Sequence, residues 1–115
     1  MQSNIYGKKS EIIASQFLKN KGYKILEVNY KNKIGEIDII AQDKNYLVFV
    51  EVKARLSRAF GDPLEAVNFK KQQKIRKTAE LYLIMKRKTN ANSRFDVVSI
   101  LGNENFEISH IENAF

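Results

Sequence analysis

The chain has 115 residues, 43% of them hydrophobic, which predicts one domain spanning 1–115 with a single modest core. It contains no cysteine, which excludes disulfide scaffolds, thiolate metal sites and cysteine nucleophiles. Twenty Lys and Arg against 13 Asp and Glu leave a net charge of +7, a balance that favours a polyanionic partner, although basic chains also meet membrane surfaces.

The N-terminus runs into Lys8, Lys9 and Glu11 with no apolar leader, and no stretch is long enough to span a bilayer. A cytoplasmic protein is the expectation. Residues 10–21 have helical spacing, with Ile13, Ala14, Phe17 and Leu18 on one stripe and Gly22 placed to end the helix. Glu11 flanks that stripe. It is either an ordinary first-turn carboxylate or a group aimed at the central hairpin. Residues 23–30 read as a strand in which Tyr23, Ile25 and Glu27 alternate against Leu26 and Val28.

Residues 35–53 organise the rest. Gly35-Glu36-Ile37-Asp38-Ile39-Ile40 and Val48-Phe49-Val50-Glu51-Val52-Lys53 are two apolar runs with charges set inside them, and Gln42-Asp43-Lys44-Asn45 separates them as a turn. Alternation puts Glu36, Asp38 and Ile40 on one face, and Ile37, Ile39 and Ala41 on the other. A turn at Lys44-Asn45 sets Asp38 opposite Glu51 and Glu36 opposite Lys53. Facing carboxylates destabilise a sheet, more so when buried. A divalent cation such as Mg²⁺ or Mn²⁺ between them reverses the sign, and Lys53 could hold a water or phosphate oxygen beside it. The plainer alternative is a surface hairpin with solvated charges.

Residues 54–63 form a basic loop in which Arg55, Arg58 and Phe60 either contact phosphates and a base or merely connect. Pro63 suits the start of a helical turn over 64–67. Asn68 caps a long helix ending near residue 85 or 86, with Ile75, Thr78, Ala79 and Tyr82 on its inner face. The outer face carries Lys70, Lys74 and Lys77, with Lys71 and Arg76 nearby, and is either solvated or a phosphate-tracking ridge. Residues 94–100 and 105–111 read as strands. Asp96 shares a face with Val98 and Ile100, where a structural ion pair is expected, and His110 reads as a surface residue without a partner. The order is helix, three strands, helix, one or two strands, which fits a two- or three-layer α/β domain.

With Gly7, Glu11 and Ala14, Gly35-Glu36-Ile37-Asp38, the run from Phe49 to Arg55, Phe60-Gly61-Asp62-Pro63, Lys71 and Arg94-Phe95-Asp96 in place, the chain resembles the PD-(D/E)XK nuclease superfamily. More narrowly it resembles the YraN-like family of uncharacterised bacterial proteins, over residues 7–100. It departs from that family in having Ser10 where a second glycine often precedes the helix glutamate. The resemblance implies a restriction endonuclease-like core of order α-β-β-β-α-β(-β), a mixed sheet flanked by helices, related to archaeal Holliday-junction resolvases. It makes Asp38, Glu51 and the Val52 carbonyl the metal ligands, with Lys53 positioning the attacking water and Glu11 orienting a water or a second ion. Arg55, Arg58, Lys70, Lys71 and Lys74 would contact nucleic acid. The function expected is a Mg²⁺- or Mn²⁺-dependent endonuclease on DNA rather than RNA, structure-selective, with a homodimer as the simplest way to cut both strands. An inactive nucleic-acid-binding module of the same fold and a small partner-binding protein are the competing readings.

Overall fold

The computed structural model describes residues 9–56, 67–102 and 105–115. Its elements run α1 (Ser10–Asn20), β1 (Lys24–Lys31), β2 (Glu36–Asp43), β3 (Tyr46–Arg55), α2 (Phe69–Met85), β4 (Asn92–Leu101) and β5 (Glu107–Ile111). The five strands form one mixed sheet in the order β1-β2-β3-β4-β5. β3 and β4 are parallel and the other neighbours antiparallel. The parallel pair is what requires α2, since parallel neighbours need a long crossover. Among the described residues no helix is long and apolar enough to cross a membrane.

The helices cover opposite faces. Ala14 and Leu18 of α1 pack on Ile39, Ala41, Val48 and Val50, while Ile75, Ala79 and Tyr82 of α2 pack on Ile40, Leu47 and Phe49. Successive β3 residues thus feed alternate cores, so β3 is buried on both sides from Leu47 to Glu51. Each fully buried branched or aromatic side chain there contributes roughly 2 kcal/mol.

The helix ends follow the sequence. Gly22 takes φ +98°, and the N–H groups of Gly22 and Tyr23 donate to Lys19 and Leu18 in a Schellman closure. Asn68 caps α2 by accepting from the Lys71 N–H at 2.9 Å. Lys44 and Asn45 form the β2–β3 turn as expected.

Two local departures shape one end of the sheet. A bulge between Ile25 and Glu27 breaks the expected alternation of β1, setting Ile25 opposite Ala41 but Glu27 opposite Ile40. Further on, Asn29 adopts a left-handed φ of 56° and Ile37 packs with Ile40, not with Ile39 and Ala41 as strict alternation required. The β2–β3 ladder ends at Ile39–Val50. The next turn, 32–35, is fastened to α2: Asn32 Nδ2 donates to the Thr78 carbonyl, and its Oδ1 accepts from Ile34 and Gly35. Gly35 lies so close to the helix that a Cβ there would fall 2.8 Å from Thr78 Oγ1.

Candidate metal centre

Where β2 and β3 part, the sheet opens into a cleft of about 840 Å³ between the N-terminal ends of the two helices. Glu11 enters from α1, Asp38 from β2, Glu51, Val52 and Lys53 from β3, and Lys71 and Lys74 from α2. Loss of the ladder frees the Val52 N–H, which would otherwise be a buried donor without a partner. The Asp38 side chain takes it instead, Oδ2 accepting at 2.8 Å. The expected regular pairing of Asp38 with Glu51 is therefore replaced by a side chain reaching across the split. Their carboxyl groups nevertheless meet in a hydrogen bond.

That contact divides one proton unevenly. Burial, reinforced by the hydrogen bond and charge of Glu51, pushes Asp38 up to about 8 against the pull of the Val52 N–H. Burial also favours a proton on Glu51. The hydrogen bonds from Asp38 and Lys71 and the charges of Lys71 and Lys53 outweigh it, holding Glu51 below the usual carboxylate range. Asp38 is then the acid of the pair and Glu51 the anion. Lys71 Nζ lies 2.5 Å and Lys53 Nζ 3.6 Å from Glu51 Oε2. Burial and the neighbouring Lys71 draw Lys53 down; for Lys71 the Glu51 contact more than offsets burial.

Glu11 is half-buried at the edge of the same cleft, its pKa raised by burial and then by Glu36. Glu36 does not face Lys53, as the regular hairpin required; it is exposed and 4.0 Å from Lys31. Lys74 lines the cleft, and Lys70 is exposed beside it on α2. Arg55 ends β3, its carbonyl accepting from the Gly102 N–H. Arg58 and Phe60, and the turn over 64–66, lie outside the described residues.

Among the described residues no three His, Cys, Asp or Glu side chains converge as a ligand set. The donors that do converge are two carboxylates, Asp38 and Glu51, with the main chain of Val52 beside them. That set fits Mg²⁺, which is commonly held by one or two carboxylates while water and phosphate complete its shell. The raised Asp38 supports the fit, because the second carboxylate needs a cation before both can ionise.

The helix pattern sets Lys71 near the outer basic face and the resemblance includes it as a nucleic-acid contact, yet the structure makes it part of the centre. The signal was there: residues 71, 75, 78 and 82 fall on one helical stripe, and the last three are the buried ones. A lysine at the first position of an otherwise inward stripe needs an acid to meet.

The neighbouring strands β4 and β5 correct a second reading. His110 is not a partnerless surface residue: its Nε2 lies 2.7 Å from Asp96 Oδ2, and Phe17 and Tyr23 flank the ring edge-on. Lys21 Nζ, which can only donate, sits 2.7 Å from Nδ1, so Nε2 carries the proton offered to Asp96. The expected ion pair of Asp96 is present as a two-pronged contact with Arg94, both prongs 3.0 Å.

Residues 10–100 match the family described as "Uncharacterised protein family UPF0102". The chain is 51% identical over 113 residues to a UPF0102 protein of Clostridium botulinum (strain 657 / Type Ba4), covering 95% of this chain and 92% of that one. It is also 51% identical over 108 residues to a UPF0102 protein of Alkaliphilus oremlandii (strain OhILAs), covering 91% and 92%.

Proposed function

This chain belongs to UPF0102, and from its cleft we propose a metal-dependent endonuclease that hydrolyses DNA phosphodiester bonds, selecting structure over sequence. The observation that carries this reading is the meeting of the Asp38 and Glu51 carboxyls beside two ammonium groups, at a split in the sheet. Supporting it is the element order, an α-β-β-β-α-β-β chain with three antiparallel strands and β4 parallel to β3. We assign that arrangement to the restriction endonuclease-like, PD-(D/E)XK superfamily. We propose a cytoplasmic location with it.

Asp38, Glu51 and the Val52 carbonyl would hold Mg²⁺ or Mn²⁺. When bound, that ion supplies electrophilic polarisation of the scissile phosphate and acidifies water. Lys53 offers a fixed positive charge where the pentavalent transition state gains negative charge. Glu11, at the first turn of α1, orients the attacking water. The water oxygen bonds to phosphorus as the bond to the leaving sugar oxygen breaks; one water proton goes to solvent, and the leaving oxygen takes one up. Lys70, Lys74 and Arg55 hold flanking phosphates, contacts that fix position but read no bases. Cutting both strands calls for a second copy of the site, supplied by a two-fold dimer.

Purified protein is expected to nick flapped or branched duplexes with Mg²⁺ or Mn²⁺, and Asp38→Ala or Glu51→Ala to reduce cleavage to background. Cleavage that persists in both variants overturns the assignment. The competing reading, a non-catalytic nucleic-acid module, draws on the ammonium groups that already neutralise Glu51. It predicts salt-sensitive, chelator-insensitive DNA binding without turnover.

A further inference from the structure

One oxygen in the cleft has too many cations. Glu51 Oε2 receives Lys71 at 2.5 Å and Lys53 at 3.6 Å, and the Glu51 side chain itself is only 8% exposed. The two lysines differ in how free they are to leave. Lys53 follows Glu51 on the same strand and its side chain is 21% exposed, held at the depth of the carboxylate. Lys71 comes from the neighbouring helix. Its backbone is fixed by the Asn68 cap, but its side chain is 42% exposed at the mouth of the cleft. A lysine stem in that setting can rotate outward without unfolding anything.

The same carboxylate oxygen cannot serve an ammonium group in contact and a divalent cation together without placing like charges side by side. We propose that Lys71 is the resident counter-ion of Glu51, that a divalent cation displaces it, and that the released ammonium moves to a phosphate at the cleft mouth. This rests on the metal reading above and adds a regulation to it. Cation and nucleic acid then help one another: the ion frees Lys71 for phosphate, and phosphate draws Lys71 away from the ion's ligand. Such coupling is reciprocal by thermodynamic necessity. The centre would therefore fill most readily when a phosphate backbone is already present, and Lys71 acts on the ion as a positioning residue.

The test reads equilibrium Mn²⁺ binding, by the electron paramagnetic resonance of free Mn²⁺, with no nucleic acid present. Lys71→Met is expected to bind Mn²⁺ roughly tenfold more tightly than wild type, as one close like charge is lost from a half-exposed site. Lys71→Arg, which keeps the charge, is expected to stay near wild type. Asp38→Asn supplies the background, and circular dichroism of each variant in chelator checks the fold. Equal affinities for wild type and Lys71→Met, both above background, overturn the displacement while leaving the metal centre standing. Binding at background in both overturns the centre, and the displacement with it.

Discussion

The sheet carries two acid sites on neighbouring strands, half-buried Asp38 with Glu51 where β2 and β3 part and Asp96 on β4 opposite Val50, and they have opposite fates. Asp96 is fully buried, yet it accepts both prongs of Arg94, the His110 N–H and the Asn113 backbone N–H. Burial alone would raise its pKa, but those bonds hold it below the ordinary value. Asp38 has one backbone donor and faces another acid, so burial wins and its pKa rises to about 8. The parts are alike: carboxylates, cations and strand backbone. What differs is saturation. A carboxylate with every lone pair used has a structural job; one left competing for a proton with its neighbour is arranged to receive something else.

The largest expected effect tests the saturated carboxylate. Arg94→Met keeps much of the stem but leaves Asp96 buried without its main partner, and should cost about 3–5 kcal/mol, read from the urea midpoint at pH 7. A loss under about 1 kcal/mol would mean that the network is dispensable and the contrast misdrawn. Asp38→Asn tests the unsaturated one and should act in the opposite direction. Because the folded-state pKa of Asp38 is raised from 3.8 to about 8, its protonated form supports the fold fully below about 4. That support is lost as the pH climbs through 8. An amide keeps an acceptor for the Val52 N–H and a donor for Glu51 without ionising. The variant should match wild type near pH 4 and exceed it by roughly 2 kcal/mol at pH 8. Equal stability across that range would remove the strain attributed to the acid pair.

Much of this was written in local sequence. Gly22, Asn68 and the Lys44-Asn45 turn mark their boundaries because turn and cap chemistry acts over a few residues. Alternation within the hairpin sets Asp38 and Glu51 on one face, but the contact itself comes from the Asp38 side chain reaching across the split ladder. Alternation failed at Ile37, because the split before Ile39 and the left-handed Asn29 arise from the neighbouring strand and from the 32–35 turn tied to Thr78. No period-two pattern encodes that. Lys71 gains a partner the pattern does not name, and His110 departs from its surface reading, for the same reason. Their partners, Glu51 and Asp96, are chosen by how a helix and an edge strand dock on the sheet, and residue type alone does not carry that information.

Glu36 gives the smallest effect and draws the boundary of the acid pair. It lies two residues from Asp38 and lines the rim of the cleft, where a hairpin paired to its tip would have set it against Lys53. The observed strand turns it outward, with its side chain and that of Lys31 each about two-thirds exposed and 4.0 Å apart. Water screens such a pair, and ordering two long side chains offsets most of the attraction. Glu36→Gln should therefore shift the urea midpoint by less than about 0.5 kcal/mol. It should also ease the proton held by Glu11, since the Glu36 charge is one of the influences raising that group. A loss well above 1 kcal/mol would place Glu36 among the buried acids and require three carboxylates, not two, to share the charge of Lys53 and Lys71.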